Sequence, residues 1–406
     1  MSAAVVAQPD VGPQVDSARG WAVVVATFIS TFTVFGVVYS FGAFFDSMAE
    51  EFGTGKGATA LMFSVTTAWY FGLGPLSGKA ADRFGPRPVL IVGAVSLGVG
   101  LIATSWVDSI WVGYLTYGLG VGTAVACAYV PMVAVVGGWF VRQRTTALGV
   151  SVAGIGAGTL ALAPLSQVLI EHYGWRTAYV SMGVVGSGLL LLASLGAHRP
   201  PIVANSVPVV LRTVVRQRSF VVLYLAMVLA SLALFVPFVF IKSYATERGI
   251  DGGLAATLVG IIGASSIVGR LGLGALGSRF GPIRLMQMSL GVMAVSYSLW
   301  LIAGDSFVTL VIFTMVIGVG YGGFIALSPA ATAVMFGTTG LGAILGALYT
   351  GAAIGGLLGP PIAGELIDRF SYRAAIVVAM VLTAAATAVV SALPSHQRAR
   401  PARATA

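Results

Sequence analysis

Apolar runs of twenty or more residues recur along the whole of this 406-residue chain. At about 1.5 Å of rise per residue, each is long enough to cross roughly 30 Å of hydrocarbon. The chain is 57% hydrophobic and only 9% charged, whereas a soluble domain carries about a quarter charged residues. Such a chain cannot cover its own surface in water. Its apolar runs are continuous rather than alternating, which excludes a transmembrane barrel. The expected fold class is therefore an all-α integral membrane protein. The single cysteine, Cys127, lies inside an apolar run and offers no disulfide or metal framework. Residues 1–18 lack the apolar core of a cleavable signal peptide.

Twelve spans are expected, near 21–45, 58–77, 88–107, 111–137, 145–170, 176–196, 219–244, 254–277, 284–303, 307–335, 340–366 and 372–393. With the N-terminus inside, fifteen of the 22 Lys and Arg residues fall on the cytoplasmic side, six fall outside, and Arg270 belongs to neither. The positive-inside rule then puts both termini in the cytoplasm of a cell (inner or plasma) membrane. The net charge of +9 is explained by this distribution of loop charge, with no need for nucleic acid.

The chain also repeats itself. Residues 154–180, GIGAGTLALAPLSQVLIEHYGWRTAYV, match 351–377, GAAIGGLLGPPIAGELIDRFSYRAAIV, without a gap. Pro164 meets Pro361, Glu171 meets Asp368, Trp175 meets Tyr372 and Arg176 meets Arg373. GKAADRFGPR after the second span is echoed by GALGSRFGPIR after the eighth. The expected organisation is a six-helix half (1–196), a cytoplasmic linker (197–218) and a second six-helix half with a short tail (219–406). Parallel halves of this kind hold substrate between them near the bilayer midplane.

GKAADRFGPR resembles the G-x-x-x-D-R-x-G-x-R loop signature of the major facilitator superfamily, with Gly78, Asp82, Arg83, Gly85 and Arg87 in register. The resemblance implies a twelve-helix transporter of two pseudo-symmetric halves. Asp82 and Arg83 at a helix end can pair across the cytoplasmic gap and hold one conformation. The second copy keeps Arg279 but has Ser278 in place of the acid, so the pairing is expected to be weaker there. WFVRQRTTALGVSVAGIGAG (139–158), the first span and VPFVFIKSYATERGI are similar to segments of the monocarboxylate transporter family, and the oxalate–formate antiporter group shares these features. In that family an arginine in the eighth helix binds the substrate carboxylate, and Arg270 occupies its place. Many members carry an aspartate four residues earlier for the proton; here that position is Ser266. The antiporter group's further lysine in the eleventh helix has no counterpart in 340–366.

Arg270 also stands out without any resemblance. It is the only charged residue from Leu254 to Gly277. Its Cα lies about 10 Å inside the cytoplasmic end, and helical side chains lean toward their own N-terminus, here toward the midplane. No Asp or Glu is expected deep in a span, so the substrate's carboxylate is the expected counter-ion, held bidentately. Snorkelling to the inner headgroups or pairing with carbonyls are the competing readings. Tyr39, Tyr117, Tyr129, Tyr321 and Tyr349 are candidate cavity residues, each offering a hydroxyl and a ring. Tyr117 and Tyr321 rank first among them, because the fourth and tenth helices face the centre in the resembling fold.

Three further features have plainer readings. Lys242 either draws anions into an outward-open mouth or, as favoured, sits at the headgroups. GLGALG (272–277) matches G-x-G-x-x-G but lacks the strand that a dinucleotide site needs, so close helix packing is expected there. Trp21, Trp106, Trp111 and Trp300 read as interfacial belt residues. Pro131, Pro164, Pro237, Pro329 and Pro361 mark helices that can bend.

The sequence therefore points to a secondary transporter of a small organic anion, with a monocarboxylate leading and protons as a candidate co-substrate. Proton symport and anion exchange both stay open. A proton-coupled drug or metabolite exporter is the main alternative. A non-transporting receptor would want an appended soluble domain. Three histidines and one cysteine leave little for an enzyme. No cofactor, metal, nucleic acid or obligate protein partner is expected.

Overall fold

The computed structural model describes residues 15–201, 211–337 and 340–393, which are helical with no strand among them. Ten helices there are long and apolar enough to cross a membrane. One of them, Arg144–Leu195, is two spans joined at Gly174, whose φ of 78° and ψ of 159° interrupt the helix. Lys56–Phe84 carries charge at both ends and, at 29 residues, completes the twelve. In chain order the spans are α1 (Ala18–Phe52), α2 (Lys56–Phe84), α3 (Pro86–Thr104), α4 (Ile110–Trp139), α5 and α6 (residues 144–173 and 175–195), α7 (Arg218–Thr246), α8 (Gly252–Gly277), α9 (Pro282–Ala303), α10 (Phe307–Phe336), α11 (Leu341–Arg369) and α12 (Tyr372–Ser391). Of the linker, residues 202–210 lie outside the described part, and Leu211–Val215 forms a single turn.

Several helices bend where the sequence cannot sustain regular hydrogen bonding. α1 breaks at Ser40 and α7 at Phe235, just before Pro237. α4 breaks at Tyr129, just before Pro131. A proline lacks the N–H that an unbroken helix would use. Pro164, Pro329 and Pro361, by contrast, lie inside continuous helices. α8 contains a π-helical turn, Gly269–Leu273, that includes Arg270. Such turns are rare and concentrate at functional sites.

The two halves meet through α2 against α11 and α5 against α8. Glycine allows both contacts. A Cβ on Gly364 would sit 2.5 Å from the Gly57 nitrogen, and one on Gly156 would sit 2.4 Å from the Gly263 carbonyl oxygen. The face opposite the termini is further tied by ion pairs between the halves: Lys56 with Glu247 at 2.6 Å and Lys242 with Asp46 at 2.9 Å. The Gly57 N–H donates to Asp368. Among the described residues no ion pair joins the halves at the terminus-bearing face. Both ion pairs that join the halves among the described residues therefore lie at the face opposite the termini.

Four expectations need correction. Lys242 is not at the headgroups: it is 7% exposed and paired with Asp46. α1 runs to Phe52 rather than ending near residue 45, so Asp46 lies within a helix and an acid does enter a span. Trp300 is fully buried against Tyr244, Tyr297 and Phe313 instead of lying in the belt, whereas Trp106 and Trp111 are 75% and 73% exposed. Within GLGALG, a Cβ on Gly272 would meet nothing within 4 Å and one on Gly274 would meet only Ala326 at 3.7 Å, whereas one on Gly277 would lie 3.1 Å from the Leu327 side chain, so close packing is confined to the last glycine. The glycine that packs tightest is the preceding one, Gly269.

Candidate functional site

Close packing of α8 on α10 sets the position of Arg270. A Cβ on Gly269 would lie 2.1 Å from the Val319 carbonyl oxygen, and one on Gly322 would lie 2.1 Å from the Ser266 carbonyl oxygen. Only glycine allows two backbones to approach this closely. Each of these glycines is the chain neighbour of a site residue, Arg270 on α8 and Tyr321 on α10. The approach brings the guanidinium carbon within 5.2 Å of the Tyr321 ring centroid, in cation–π range.

Arg270 is 4% exposed. Its Nη1 donates to the Val152 carbonyl of α5 at 3.2 Å, across the interface between the halves. Its Nε and Nη2 are buried and have no partner among the described residues. These two nitrogens form one edge of the guanidinium, with parallel N–H bonds that fit the two oxygens of a carboxylate. Leaving such donors unpaired in a low-dielectric interior costs several kcal/mol. The orphaned pair is therefore the strongest chemical statement in the interior.

Aromatic side chains line the same space. The Tyr39 and Tyr321 hydroxyls are 3.0 Å apart, joining α1 to α10. Tyr39 stacks on Phe238 at 4.3 Å, and Phe238 meets Tyr321 edge-on at 5.5 Å. Phe35 contacts Tyr39, Tyr70 and Tyr129, and Phe71 links Tyr70 to Tyr349. Arg270 lies within electrostatic reach of Tyr39 and Tyr129.

Of the residues singled out from sequence, the structure gathers Arg270, Tyr39, Tyr321 and Tyr129, with Tyr349 at the far end of the aromatic chain. Tyr117 stands apart: it is fully buried and packs on Phe41 and Tyr179 within the N-terminal half, with an unpartnered hydroxyl. Ser266 is fully buried and its hydroxyl donates back to the Gly263 carbonyl at 2.7 Å. Sequence reading missed Tyr70, Phe35, Phe238 and the Val152 carbonyl. The repeat held the signal for Tyr70, since the spacing that maps Arg83 onto Arg279 also maps Tyr70 onto Ser266.

The loop signature lies at the terminus-bearing face. Gly85 has a φ of 95° and its counterpart Gly281 a φ of 86°, each ending one helix and starting the next. Asp82, Arg83, Arg87 and Arg279 are exposed. Arg83 and Arg279 lie over the rings of Phe84 and Phe280, and Arg199 donates to the Arg83 carbonyl. Gly78 is merely near Val130. Asp82 makes no ion pair among the described residues, so the expected cross-gap pairing is not made in this state. The WFVRQR segment forms a small anion nest: the backbone N–H groups of Val141, Arg142 and Gln143 all donate to the Asp16 carboxylate. Far from Arg270, a cleft of about 510 Å³ on the closed face is lined by Lys56, Glu247, Arg248 and Arg373, among others.

Comparison with known proteins agrees with this architecture. The family model of the Major Facilitator Superfamily matches residues 27–304 and 223–406. The chain belongs to that superfamily. Within it, the chain belongs with the monocarboxylate transporters: it is 32% identical to Monocarboxylate transporter 13 of Bos taurus over 93% of this chain and 90% of the relative. It is 31% identical to Monocarboxylate transporter 4 of Mus musculus over 87% of this chain and 78% of the relative. The fold matches a D-xylose–proton symporter with a TM-score of 0.76 at 13% identity, over 94% and 99% of the two chains. It also matches a bacterial homologue of the lysosomal transporter Spinster in an inward-facing conformation, with a TM-score of 0.75 at 14% identity, over 92% and 96%. The protein is a multi-pass secondary transporter rather than an enzyme.

Proposed function

We propose that this transporter moves a small organic anion, a monocarboxylate, and that Arg270 binds its carboxylate. The observation that carries this reading is the buried Nε–Nη2 edge of Arg270, which has no partner among the described residues. A monocarboxylate supplies the paired oxygens and the charge that this edge requires. Val152 and Tyr321 fix the rest of the guanidinium, so the free edge is oriented before substrate arrives. Tyr39 and Tyr321 offer hydroxyls to the carboxylate, and Phe35, Phe238 and Tyr70 offer apolar surface to its tail.

Placing the excess of loop Lys and Arg inside puts the termini in the cytoplasm of the cell membrane. The ion-paired face is then the outer one, and the described state faces inward. Alternating access follows from breaking the outer contacts and forming new ones at the terminus-bearing face, where Asp82 and Arg83 wait exposed. The Ser266 hydroxyl neither gains nor releases a proton near neutral pH, so coupling is either symport with a proton held elsewhere or exchange of one anion for another.

Isothermal titration of the purified transporter with lactate, pyruvate, acetate and formate tests the reading. Binding by wild type that is lost in Arg270→Gln supports it. Equal binding by both refutes it.

A further inference from the structure

The closed face contains one ion pair unlike the others. Lys242 is a long cation with a side chain only 9% exposed, on α7. Its Nζ donates to Asp46 Oδ2 at 2.9 Å, and the neighbouring Ser243 hydroxyl donates to Oδ1 at 2.5 Å. Asp46 is on α1, in the other half, and its side chain is 39% exposed. The two residues stand 196 positions apart, the spacing that relates Glu51 to Glu247 and Arg83 to Arg279. They are repeat mates of opposite charge that meet on the pseudo-twofold axis. The outer ends of α1 and α7 cross here, so tightly that a Cβ on Gly42 would lie 2.6 Å from the Phe238 carbonyl oxygen.

The pair also caps a route. Phe238 lies four residues before Lys242, about 6 Å or one turn along the same helix. Phe238 stacks on Tyr39 and meets Tyr321, which holds Arg270. From the closed face inward, the layers are therefore Lys242 with Asp46, then Phe238 with Tyr39, then Tyr321 with Arg270. This face cannot open without parting α1 from α7 and so pulling Asp46 off Lys242. Asp46 is half-exposed and finds water. Lys242 is left as a nearly buried cation facing the new opening, and such a cation needs an anion.

We propose that Lys242 is a second carboxylate-binding residue, masked by Asp46 while the face is closed and taken by the substrate when it opens. The inference rests on the carboxylate reading of Arg270. Asp46 and the incoming anion have the same chemistry and compete for one ammonium group. The substrate thus replaces the protein's own carboxylate, which couples opening to arrival and hands the anion on, past Phe238, to Arg270. Lys242 is a point charge without Arg270's fork, which suits transient capture over fixed orientation.

The test separates a binding residue from a mere lock. Spin labels on cysteines replacing the exposed Asp108 and Asp305, one in each half on this face, report opening in a Cys127→Ala background. Asp46→Asn and Lys242→Gln both lose the pair, so both raise the long-distance fraction relative to the short one by about tenfold or more. The charge swap Asp46→Lys with Lys242→Asp restores the short distance and shows that the single variants are folded. Uptake of lactate and acetate into intact cells then presents carboxylate to one face only. Removing the competitor in Asp46→Asn lowers the half-saturating concentration, and removing the cation in Lys242→Gln raises it, each by about tenfold. Opposite shifts in affinity alongside the same shift in distance bear the proposal out. Affinity shifts of the same sign, or no opening in either variant, overturn it while leaving the Arg270 reading intact. A wild type that takes up no carboxylate while the labels still report opening overturns the Arg270 reading, and this inference with it.

Discussion

Gly269→Ala is a small change with a large expected consequence. The added methyl would lie 2.1 Å from the Val319 oxygen, 2.9 Å from the Val319 carbon and 3.0 Å from the Gly323 nitrogen, all of them backbone atoms of α10. No rotamer change relieves this. Carbon–oxygen contacts relax to about 3.4 Å, so α8 and α10 must part by roughly 1.3 Å or the π-helical turn must re-form. Overpacking of this kind costs about 1–3 kcal/mol. It also carries Arg270 away from Tyr321 and Val152. Losing one of two charged hydrogen bonds to a carboxylate costs about 1.5–3 kcal/mol, which is roughly 10- to 100-fold in affinity. Gly272→Ala is the control: it lies in the same turn with nothing within 4 Å, and helix propensity favours alanine by up to about 1 kcal/mol. Thermal unfolding in detergent and the concentration dependence of uptake measure both. The account expects Gly269→Ala to unfold several degrees lower with weakened substrate affinity, and Gly272→Ala to match wild type or exceed it. Wild-type stability and affinity in Gly269→Ala would refute the claim that backbone contact between α8 and α10 positions the site.

Other outcomes follow from the same geometry. Tyr321→Phe keeps the ring over Arg270 but loses the hydroxyl that bonds Tyr39 and is offered to the carboxylate, so it costs about 0.5–1.5 kcal/mol, seen as a several-fold rise in half-saturating substrate. Tyr321→Leu removes the cation–π contact as well, worth about 0.5–2 kcal/mol more, and the ratio of the two variants isolates the ring. Gly174→Ala forces a side chain into a conformation that only glycine adopts readily, at about 1–3 kcal/mol, and calorimetry is expected to show a lower unfolding temperature. Asp16→Ala removes the acceptor for three backbone N–H groups of the loop before α5, and hydrogen exchange of Val141, Arg142 and Gln143 is expected to accelerate.

The sequence made some of these features visible and hid others for definite reasons. Spans were visible because hydrocarbon demands long uncharged runs, and Arg270 because a charge inside one is conspicuous. The repeat was visible in Pro164 against Pro361 and in the two Arg-Phe-Gly ends. Which face of a span is buried was not, since lipid and protein interior are equally apolar and leave no helical periodicity to follow. That is why Trp300 looked like a belt residue and Tyr117 like a cavity residue. The Asp46–Lys242 pair was hidden by its 196-residue separation, although Asp46 and Lys242 occupy matching places in the repeat. The π-helical turn at Gly269–Leu273 has no sequence signature beyond its glycines.

Transport itself is the most direct test of the central claim. Uptake of radiolabelled lactate, pyruvate, acetate and formate into proteoliposomes, with wild type and Arg270→Ala and with or without an inward proton gradient, measures it. The account predicts uptake by wild type of at least one of these anions and loss of nearly all of it in Arg270→Ala. Acceleration by the gradient marks proton symport, and acceleration by internal anion marks exchange. Uptake by Arg270→Ala at the wild-type rate and affinity would contradict the account.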